Sequence, residues 1–140
     1  MEPVWSSEQE VSACAPFGCN SPAAFDVVVI AGSAGGIQAN LSLLQHLPRD
    51  FAAPIVLVQH LARSTRHVSQ LDLVLGRGTL LQVKWAEEGE PLMPGVVYIA
   101  PQDRHTAIDP VRRCLTVSHA CSWGLAAPRA DLLFLSLIHI

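Results

Sequence analysis

Apolar residues along the chain form short continuous runs, and the segments between several of these runs have helical spacing. The first run predicts a strand at about Asp26 to Ile30. Apolar positions from Ile37 to Leu47 then recur three and four residues apart, which predicts a helix at about Gly35 to His46. The next run, Pro54 to Gln59, is apolar up to its last residue, as is typical of a parallel strand covered on both faces. The pattern therefore begins as strand, helix, strand.

The rest of the chain continues this alternation and ends in a hairpin and a last helix. The further predicted elements are a weaker helix near Val68 to Leu75, strands at Leu80 to Trp85 and Gly95 to Ala100, an antiparallel pair at Thr106 to Ile108 and Cys114 to Val117, and a helix from Pro128. This alternation predicts the α/β class, with a mostly parallel, doubly wound (Rossmann-like) sheet and helices on both faces. Because the sequence stops inside the last helix, we expect this sheet to be incomplete at its carboxyl end.

Residues 1–24 differ in character from the rest of the chain. They are polar and small, they contain three prolines, and no hydrophobic period runs through them. Such a segment cannot bury enough apolar surface to fold by itself, so we expect a disordered leader. The remaining residues, 25–140, then form one partial domain.

Composition narrows the classes of function. The formal net charge is −3 and lysine and arginine do not cluster, which argues against a nucleic-acid-binding surface. Residues 1–10 lack the basic and apolar stretches of a signal peptide, and the longest apolar run near the end is too short to cross a membrane. The four cysteines show no C-x-x-C spacing. We therefore expect a cytoplasmic protein with reduced thiols and no zinc site.

The turn of small residues after the first strand carries the main candidate chemistry. Ser33 stands within this turn, and His60 directly follows the second strand. Neighbouring parallel strands in a strand–helix–strand unit end side by side, so we expect the two side chains to lie near each other. A serine hydroxyl becomes an effective nucleophile when a base takes its proton. The backbone N–H groups of Ala34, Gly35 and Gly36 are candidates for an oxyanion hole.

Two other interpretations of this turn stay open at the level of pattern. Ser33 could be only a small turn residue, with His60 a hydrogen-bonded core histidine. A glycine-rich turn also suggests a nucleotide or phosphate site, but the glycines do not form G-x-G-x-x-G, and Gln59 and His60 stand where a ribose-binding acidic residue would be. His105 follows the fourth predicted strand at the same sheet edge, where a solvated loop is the simpler interpretation.

Five segments, taken in order, carry a family resemblance. They are VVVIAGSAGGIQA around Ser33, PIVLVQH ending in His60, the segment from Val83 to Glu90, GVVYIAPQDRH ending in His105, and PRADLLF from Pro128 to Phe134. With these segments, the chain from about Phe25 to Phe134 resembles the catalytic domain of the chemotaxis protein-glutamate methylesterases (CheB type).

This resemblance implies a hydrolase of glutamate γ-methyl esters on chemotaxis receptors, often with deamidation of receptor glutamines as a second activity. Ser33 matches the family's nucleophile and His60 its general base, and the reaction needs no cofactor and no metal. His105 matches a motif near the site, without a chemical role assigned to it. The expected partners are the methylated cytoplasmic helices of methyl-accepting receptors, with no nucleic acid and no membrane insertion.

Three differences from the family lead to further expectations. The turn reads Ala31-Gly32 where the family usually has Gly-Ala, and Ala34 stands where many members have threonine. Residues 1–24 are too few for a receiver domain, so we do not expect regulation by phosphorylation of this chain. No segment matches the later glycine-rich region that carries the family's triad aspartate. Because neutralising a triad aspartate costs about 10⁴ in rate, we expect this chain alone to be a poor or inactive hydrolase. A non-catalytic receptor-binding fragment is the alternative.

Overall fold

The computed structural model describes residues 26–61, 70–119 and 128–138. The predicted leader and the histidines at positions 67 and 139 lie outside these ranges. The elements, in chain order, are β1 (Val28–Gly32), α1 (Gly36–Leu44), β2 (Ile55–Gln59), α2 (Leu71–Arg77), β3 (Gln82–Trp85), β4 (Val96–Ile99), β5 (Arg104–Asp109), β6 (Cys114–His119) and α3 (Ala130–Leu135).

Four strands form a parallel sheet in the order β1-β2-β4-β3, and β5 pairs with β6 in a separate antiparallel hairpin. The α/β class and the mostly parallel sheet are confirmed. Every residue of β2 and of β4 is buried, which explains why their sequences are apolar runs without alternation. In the described part of the chain β1 is an edge strand, and its side chains are mostly half-buried.

The two faces of the sheet are covered differently. On one face, Leu44 of α1 and Leu75 of α2 pack with Leu57 and Ile99. On the other face, Val56 and Tyr98 pack with side chains from the hairpin and with Leu133 of α3. The prediction of helices on both faces is therefore confirmed, with most of the second face covered by the hairpin.

The connection from β3 to β4 contains no helix, although the two strands are parallel neighbours. Its residues instead run along β6: the Leu115 N–H donates to the Glu90 carbonyl at 2.8 Å, and the Gly89 N–H donates to the Leu115 carbonyl at 2.9 Å. The Lys84 ammonium binds the Glu90 carboxylate at 2.5 Å. A crossover helix would satisfy its own backbone hydrogen bonds. This connection has no helix, and its backbone groups bond to strand β6 of the hairpin instead.

Several predicted boundaries differ from the observed ones. The hairpin strands β5 and β6 extend to Arg104–Asp109 and Cys114–His119, so His105 lies in a strand, whereas the sequence favoured a solvated loop there. Backbone pairing between β5 and β6 continues over polar residues at the strand ends. The spacing of apolar residues does not predict these as strand. Helix α2 begins at Leu71, directly after Gln70, and the first two residues of the predicted helix lie outside the described ranges.

Candidate active site

Ser33 and His60 follow the last paired residues of two adjacent parallel strands. Gly32 of β1 is in register with Gln59 of β2, and the His60 N–H donates to the Gly32 carbonyl at 2.9 Å. Each candidate residue is thus one position beyond the same rung of the sheet. Both side chains are exposed. The two strand ends therefore lie side by side, as the strand–helix–strand pattern predicts.

The turn after β1 depends on a glycine in the left-handed region. Gly35 has φ 78° and precedes the first residue of α1, Gly36. The Gly36 N–H donates to the Ser33 carbonyl at 2.8 Å, which closes the turn directly over Ser33. A side chain at Gly35 would be strained by its backbone conformation alone, since a Cβ there would meet no other atom within 4 Å. The chain can therefore reverse sharply and leave the serine exposed.

A buried glutamine lies beneath this turn. The Gln59 side-chain amide nitrogen, Nε2, donates to the Ser33 carbonyl at 2.8 Å and to the His60 carbonyl at 3.1 Å. Its oxygen, Oε1, accepts a hydrogen bond from the Asn40 side chain at 3.2 Å. Gln59 is 1% exposed and Asn40 is 5% exposed. The amide therefore links the backbones of both candidate residues to helix α1.

The sequence contained a signal for this pair that pattern reasoning missed. Asn40 is a poor helix former within the apolar pattern of α1, and Gln59 is the one polar residue in the second apolar run. Buried polar side chains are nearly always hydrogen-bonded. Two such exceptions in neighbouring elements therefore indicate a contact between them.

The glycines of the turn make room for the Gln59 side chain. A Cβ added at Gly32 or at Gly36 would lie 2.5 Å from Gln59 Oε1. In nucleotide-binding turns, glycines allow a pyrophosphate to approach the backbone. Here the close approach is already made by a side chain of the protein itself. This packing accounts for two of the glycines that suggested a nucleotide site.

The ring of His60 is held by a backbone carbonyl. Its Nε2 atom lies 2.6 Å from the carbonyl oxygen of Pro128, just before α3. A carbonyl oxygen can only accept, so Nε2 of the neutral ring carries the proton and Nδ1 is left as the basic atom. Within residues 26–61, 70–119 and 128–138, no hydrogen bond joins the Ser33 hydroxyl to this ring.

No carboxylate of the described residues is bonded to His60. Asp131 is the acidic residue nearest in sequence to Pro128, and it forms an ion pair with the Arg129 guanidinium. The hydrogen bond from Arg129 lowers the pKa of the Asp131 carboxyl below its usual value. Asp131 is thus ionised and paired elsewhere, and the Pro128 carbonyl is the group that orients the His60 ring.

The candidate oxyanion donors are not equivalent. The Gly36 N–H is already engaged with the Ser33 carbonyl. The N–H groups of Ala34 and Gly35 have no partner among the described residues, and both residues are exposed beside Ser33. Of the three candidates, Ala34 and Gly35 therefore stay available for an oxyanion.

The segment after β4 also reaches this edge of the sheet. The Gln102 side chain donates to the Gln59 carbonyl at 3.0 Å. His105 lies three residues further on, in β5, opposite Ser118. Its Nδ1 atom is buried and has no hydrogen-bond partner among the described residues. No interaction of His105 with Ser33 or His60 appears there, so its role stays unassigned.

The described residues contain no group of three or more histidine, cysteine, aspartate or glutamate side chains that could hold a metal ion. None of the helices in the same ranges is long and apolar enough to span a membrane.

An exposed serine on a sharp turn between a parallel strand and a helix is the arrangement in which α/β serine hydrolases present their nucleophile. Comparison with known proteins gives the particular family. A family model for the CheB methylesterases matches residues 28–140, which is most of the chain. The chain therefore belongs to the CheB methylesterase family.

Individual relatives agree with this assignment. The chain is 40% identical over 112 residues to protein-glutamate methylesterase/protein-glutamine glutaminase 4 of Myxococcus xanthus, a match that covers 79% of this chain and 31% of that protein. It is 42% identical over 82 residues to the corresponding protein of Thermotoga maritima, which covers 59% of this chain and 23% of that protein.

A solved structure has the same fold. The crystal structure of the Thermotoga maritima CheB methylesterase catalytic domain superposes with a TM-score of 0.72 and 31% identity, covering 84% of this chain and 62% of that domain. The chain thus spans less than a third of the two full-length relatives and less than two thirds of the solved catalytic domain.

Proposed function

We propose that this chain carries the nucleophile and the general base of an enzyme that hydrolyses glutamate γ-methyl esters, with Ser33 and His60 in these roles. One observation carries the proposal: the two residues extend the same in-register rung of adjacent strands, Gly32 with Gln59, in a member of the CheB methylesterase family. A serine and a base placed this way are what nucleophilic acyl transfer requires.

The reaction proceeds in two steps. The Ser33 oxygen attacks the γ-ester carbonyl carbon while His60 takes the hydroxyl proton, and the C–O bond to the methoxy group then breaks. The leaving methoxide receives the proton from His60 and departs as methanol. Water attacks the acyl-serine with His60 again as base, which releases the glutamate carboxylate and restores Ser33. The N–H groups of Ala34 and Gly35 supply hydrogen bonds to the oxyanion.

The expected rate of ester hydrolysis depends on the Pro128 carbonyl, which stands where a catalytic triad has a carboxylate. It fixes the tautomer of His60, so that Nδ1 is free to accept a proton. It carries only a partial charge, however, and stabilises the imidazolium less than a carboxylate would. A neutral group in place of the triad aspartate costs about 10⁴ in rate in a serine protease. We therefore expect slow, serine-dependent hydrolysis.

The proposed substrates are methylated glutamates on the cytoplasmic helices of methyl-accepting chemotaxis receptors, and the proposed place of action is the cytoplasm. Family membership supports this substrate class. Two relatives are named protein-glutamine glutaminases as well. Glutamine deamidation, which replaces the methoxide by ammonia as leaving group, is therefore proposed as a second reaction at the same serine.

The test is methanol release from a methylated receptor fragment, measured with the unchanged chain, with Ser33→Ala and with Ser42→Ala. Ser42 is an exposed serine of α1 and provides a matched control for the same substitution. We expect slow release from the unchanged chain and from Ser42→Ala, and none above background from Ser33→Ala. Release that persists in Ser33→Ala, or no release from the unchanged chain, would contradict the proposal. Receptor binding without turnover would instead indicate the non-catalytic alternative.

A further inference from the structure

We infer that Gln59 is a positioning residue, which holds the nucleophile and the base in a fixed relation through their backbones. The inference rests on the proposed function of Ser33 and His60, and it adds a residue that does not itself touch the substrate. Its basis is a single side-chain amide that donates to the carbonyl oxygens of both candidate residues.

The two hydrogen bonds use both donor hydrogens of the amide. Nε2 carries two N–H groups, and one is directed to the Ser33 carbonyl at 2.8 Å while the other is directed to the His60 carbonyl at 3.1 Å. Ser33 and His60 belong to different strands and are 27 positions apart in sequence. The amide therefore adds a cross-link just beyond the last residue pair of the β1–β2 ladder, next to the last backbone bond between the two strands, from the His60 N–H to the Gly32 carbonyl.

The Gln59 side-chain amide cannot flip, which would exchange its oxygen and nitrogen, without losing these hydrogen bonds. The Asn40 side-chain amide donates to Oε1 at 3.2 Å, while the Ser33 and His60 carbonyls can only accept and therefore require Nε2 on their side. A flip would place Oε1 against two carbonyl oxygens and Nε2 against the donating Asn40 nitrogen. Because Gln59 is almost fully buried, water cannot replace the lost bonds. The two carbonyls thus set which atom of Gln59 faces the candidate catalytic pair, and Asn40 supplies the donor for the other atom.

Packing fixes the position of the side chain as well as its orientation. The absence of side chains at Gly32 and Gly36 leaves space that Gln59 Oε1 fills. The backbone of Gln59 is held in turn, since its carbonyl accepts a hydrogen bond from the Gln102 side chain at 3.0 Å. A side chain with this many constraints is suited to hold two other backbones in place.

The consequence for catalysis is geometric. A displacement of about 1 Å between reacting groups can cost about 10² in rate. Gln59 touches neither ester nor leaving group, so its loss should lower kcat and leave KM nearly unchanged. A residue that contributed only to core packing would instead lower global stability and leave the turn as protected as the rest of the sheet.

The experiment compares Gln59→Glu and Gln59→Met with the unchanged chain. The first variant keeps the shape and, when ionised, removes both donors. The second keeps the length without polar atoms. Gln82→Glu is the matched control, since Gln82 is an exposed residue of β3. Hydrogen exchange is followed at the Gly36 amide, which bonds to the Ser33 carbonyl, and at the His60 amide, which bonds to the Gly32 carbonyl. The Ala100 amide, which bonds to the Leu57 carbonyl, serves as an internal reference.

We expect protection of the Gly36 and His60 amides to fall about 30-fold in both Gln59 variants, as the loss of two ordinary hydrogen bonds implies. Protection of the Ala100 amide should stay unchanged, and the Gln82→Glu control should match the unchanged chain throughout. In Gln59→Glu, lower pH should restore part of the protection, because a protonated carboxyl regains one donor. In ester hydrolysis, kcat should fall about 10²-fold at nearly constant KM.

Two results would overturn the inference. One is unchanged protection at Gly36 and His60 in Gln59→Met, which would show that the donors do not hold the turn. The other is a uniform loss of protection that includes Ala100, which would show a general packing role. The exchange measurements do not depend on turnover. If the unchanged chain shows no Ser33-dependent hydrolysis, the proposed function fails, while the exchange results still decide whether Gln59 fixes the two backbones.

Discussion

At the scale of single residues, polar side chains inside apolar elements identify the site most clearly. Asn40 and Gln59 are both buried, and each would carry unsatisfied polar atoms without the other. Their bond joins α1 to the end of β2, directly below the turn that presents Ser33. Buried polar residues thus interrupt the apolar pattern of α1 and β2 close to Ser33 and His60, as is common at functional sites.

Substitution of Asn40→Ala should therefore reduce stability more than an ordinary substitution in the same helix. It leaves Gln59 Oε1 buried without a donor, which costs about 1–3 kcal/mol. The measurement is the free energy of unfolding in urea. Ser42→Ala, an exposed position two residues further along α1, is the control and should change stability by about 0.5 kcal/mol or less. Equal effects of the two substitutions would contradict the structural role of the Asn40–Gln59 bond.

At the scale of elements, the order strand–turn–helix could be predicted from the sequence, because each part has its own period. The run of β1, the small residues and the spacing of α1 all lie within one short segment, and local spacing decides them. The same logic placed Ser33 and His60 at adjoining strand ends. It could not show the contact of His60 with the Pro128 carbonyl, which joins residues 68 positions apart.

The way in which the loop between β3 and β4 is supported was also beyond local spacing. Two parallel strands usually require a helical crossover, yet here a short loop bonded to β6 replaces it. The partners that make this possible, Glu90 and Leu115, are distant in sequence. Contacts of this kind between distant residues leave no periodic pattern in the sequence. The α/β class was therefore predictable from the alternation of elements, but the contacts that support this loop were not.

The turn between β1 and α1 should be sensitive to the residue type at Gly35. Gly35→Ala places a side chain in the left-handed region, which costs about 1–2 kcal/mol. Gly35→Asn should cost less, because asparagine tolerates this region better. Urea unfolding of the two variants measures the difference. The open space around this position makes backbone conformation the expected cause. Equal stability of Gly35→Ala and the unchanged chain would contradict the left-handed turn.

The free energy of unfolding should fall in alkaline solution because of two side chains, Lys84 and Tyr98. The hydrogen bond from Lys84 to Glu90 raises the pKa of the lysine above its ordinary value of 10.5, and burial raises the pKa of Tyr98 above its ordinary value of 10.0. A raised pKa in the folded state gives stability that is complete below the unfolded value and is lost as pH rises through the folded value. Unfolding free energy should therefore decline as the pH rises above these two values.

Two variants separate the contributions to this decline. Lys84→Met should remove the part that comes from the ion pair, and Tyr98→Phe should remove the part that comes from the phenol. Lys84 is about one third exposed, so solvent screening keeps its part small. A decline of the same size in both variants and in the unchanged chain would show that neither group is responsible.

At the scale of the whole molecule, one edge of the parallel sheet collects the candidate chemistry. Ser33, His60 and Gln102 all follow the carboxyl ends of strands, and Gln59 connects the three segments through its side-chain amide and its backbone carbonyl. Ligand and catalytic sites of α/β sheets form at this edge because consecutive loops meet there. The hydrophobic pattern places these loops at one edge of the sheet. The hydrogen bonds of Gln59 then hold the loops in fixed positions relative to one another.

The most direct test of the central claim is reaction of the chain with a fluorophosphonate, followed by mapping of the modified residue by mass spectrometry. The serine oxygen displaces fluoride at phosphorus with His60 as base, so no receptor is needed. We predict one adduct, on Ser33, that forms at least about 10²-fold more slowly in His60→Ala. An adduct on another serine, or a rate on Ser33 that is independent of His60, would contradict the assignment of these two residues.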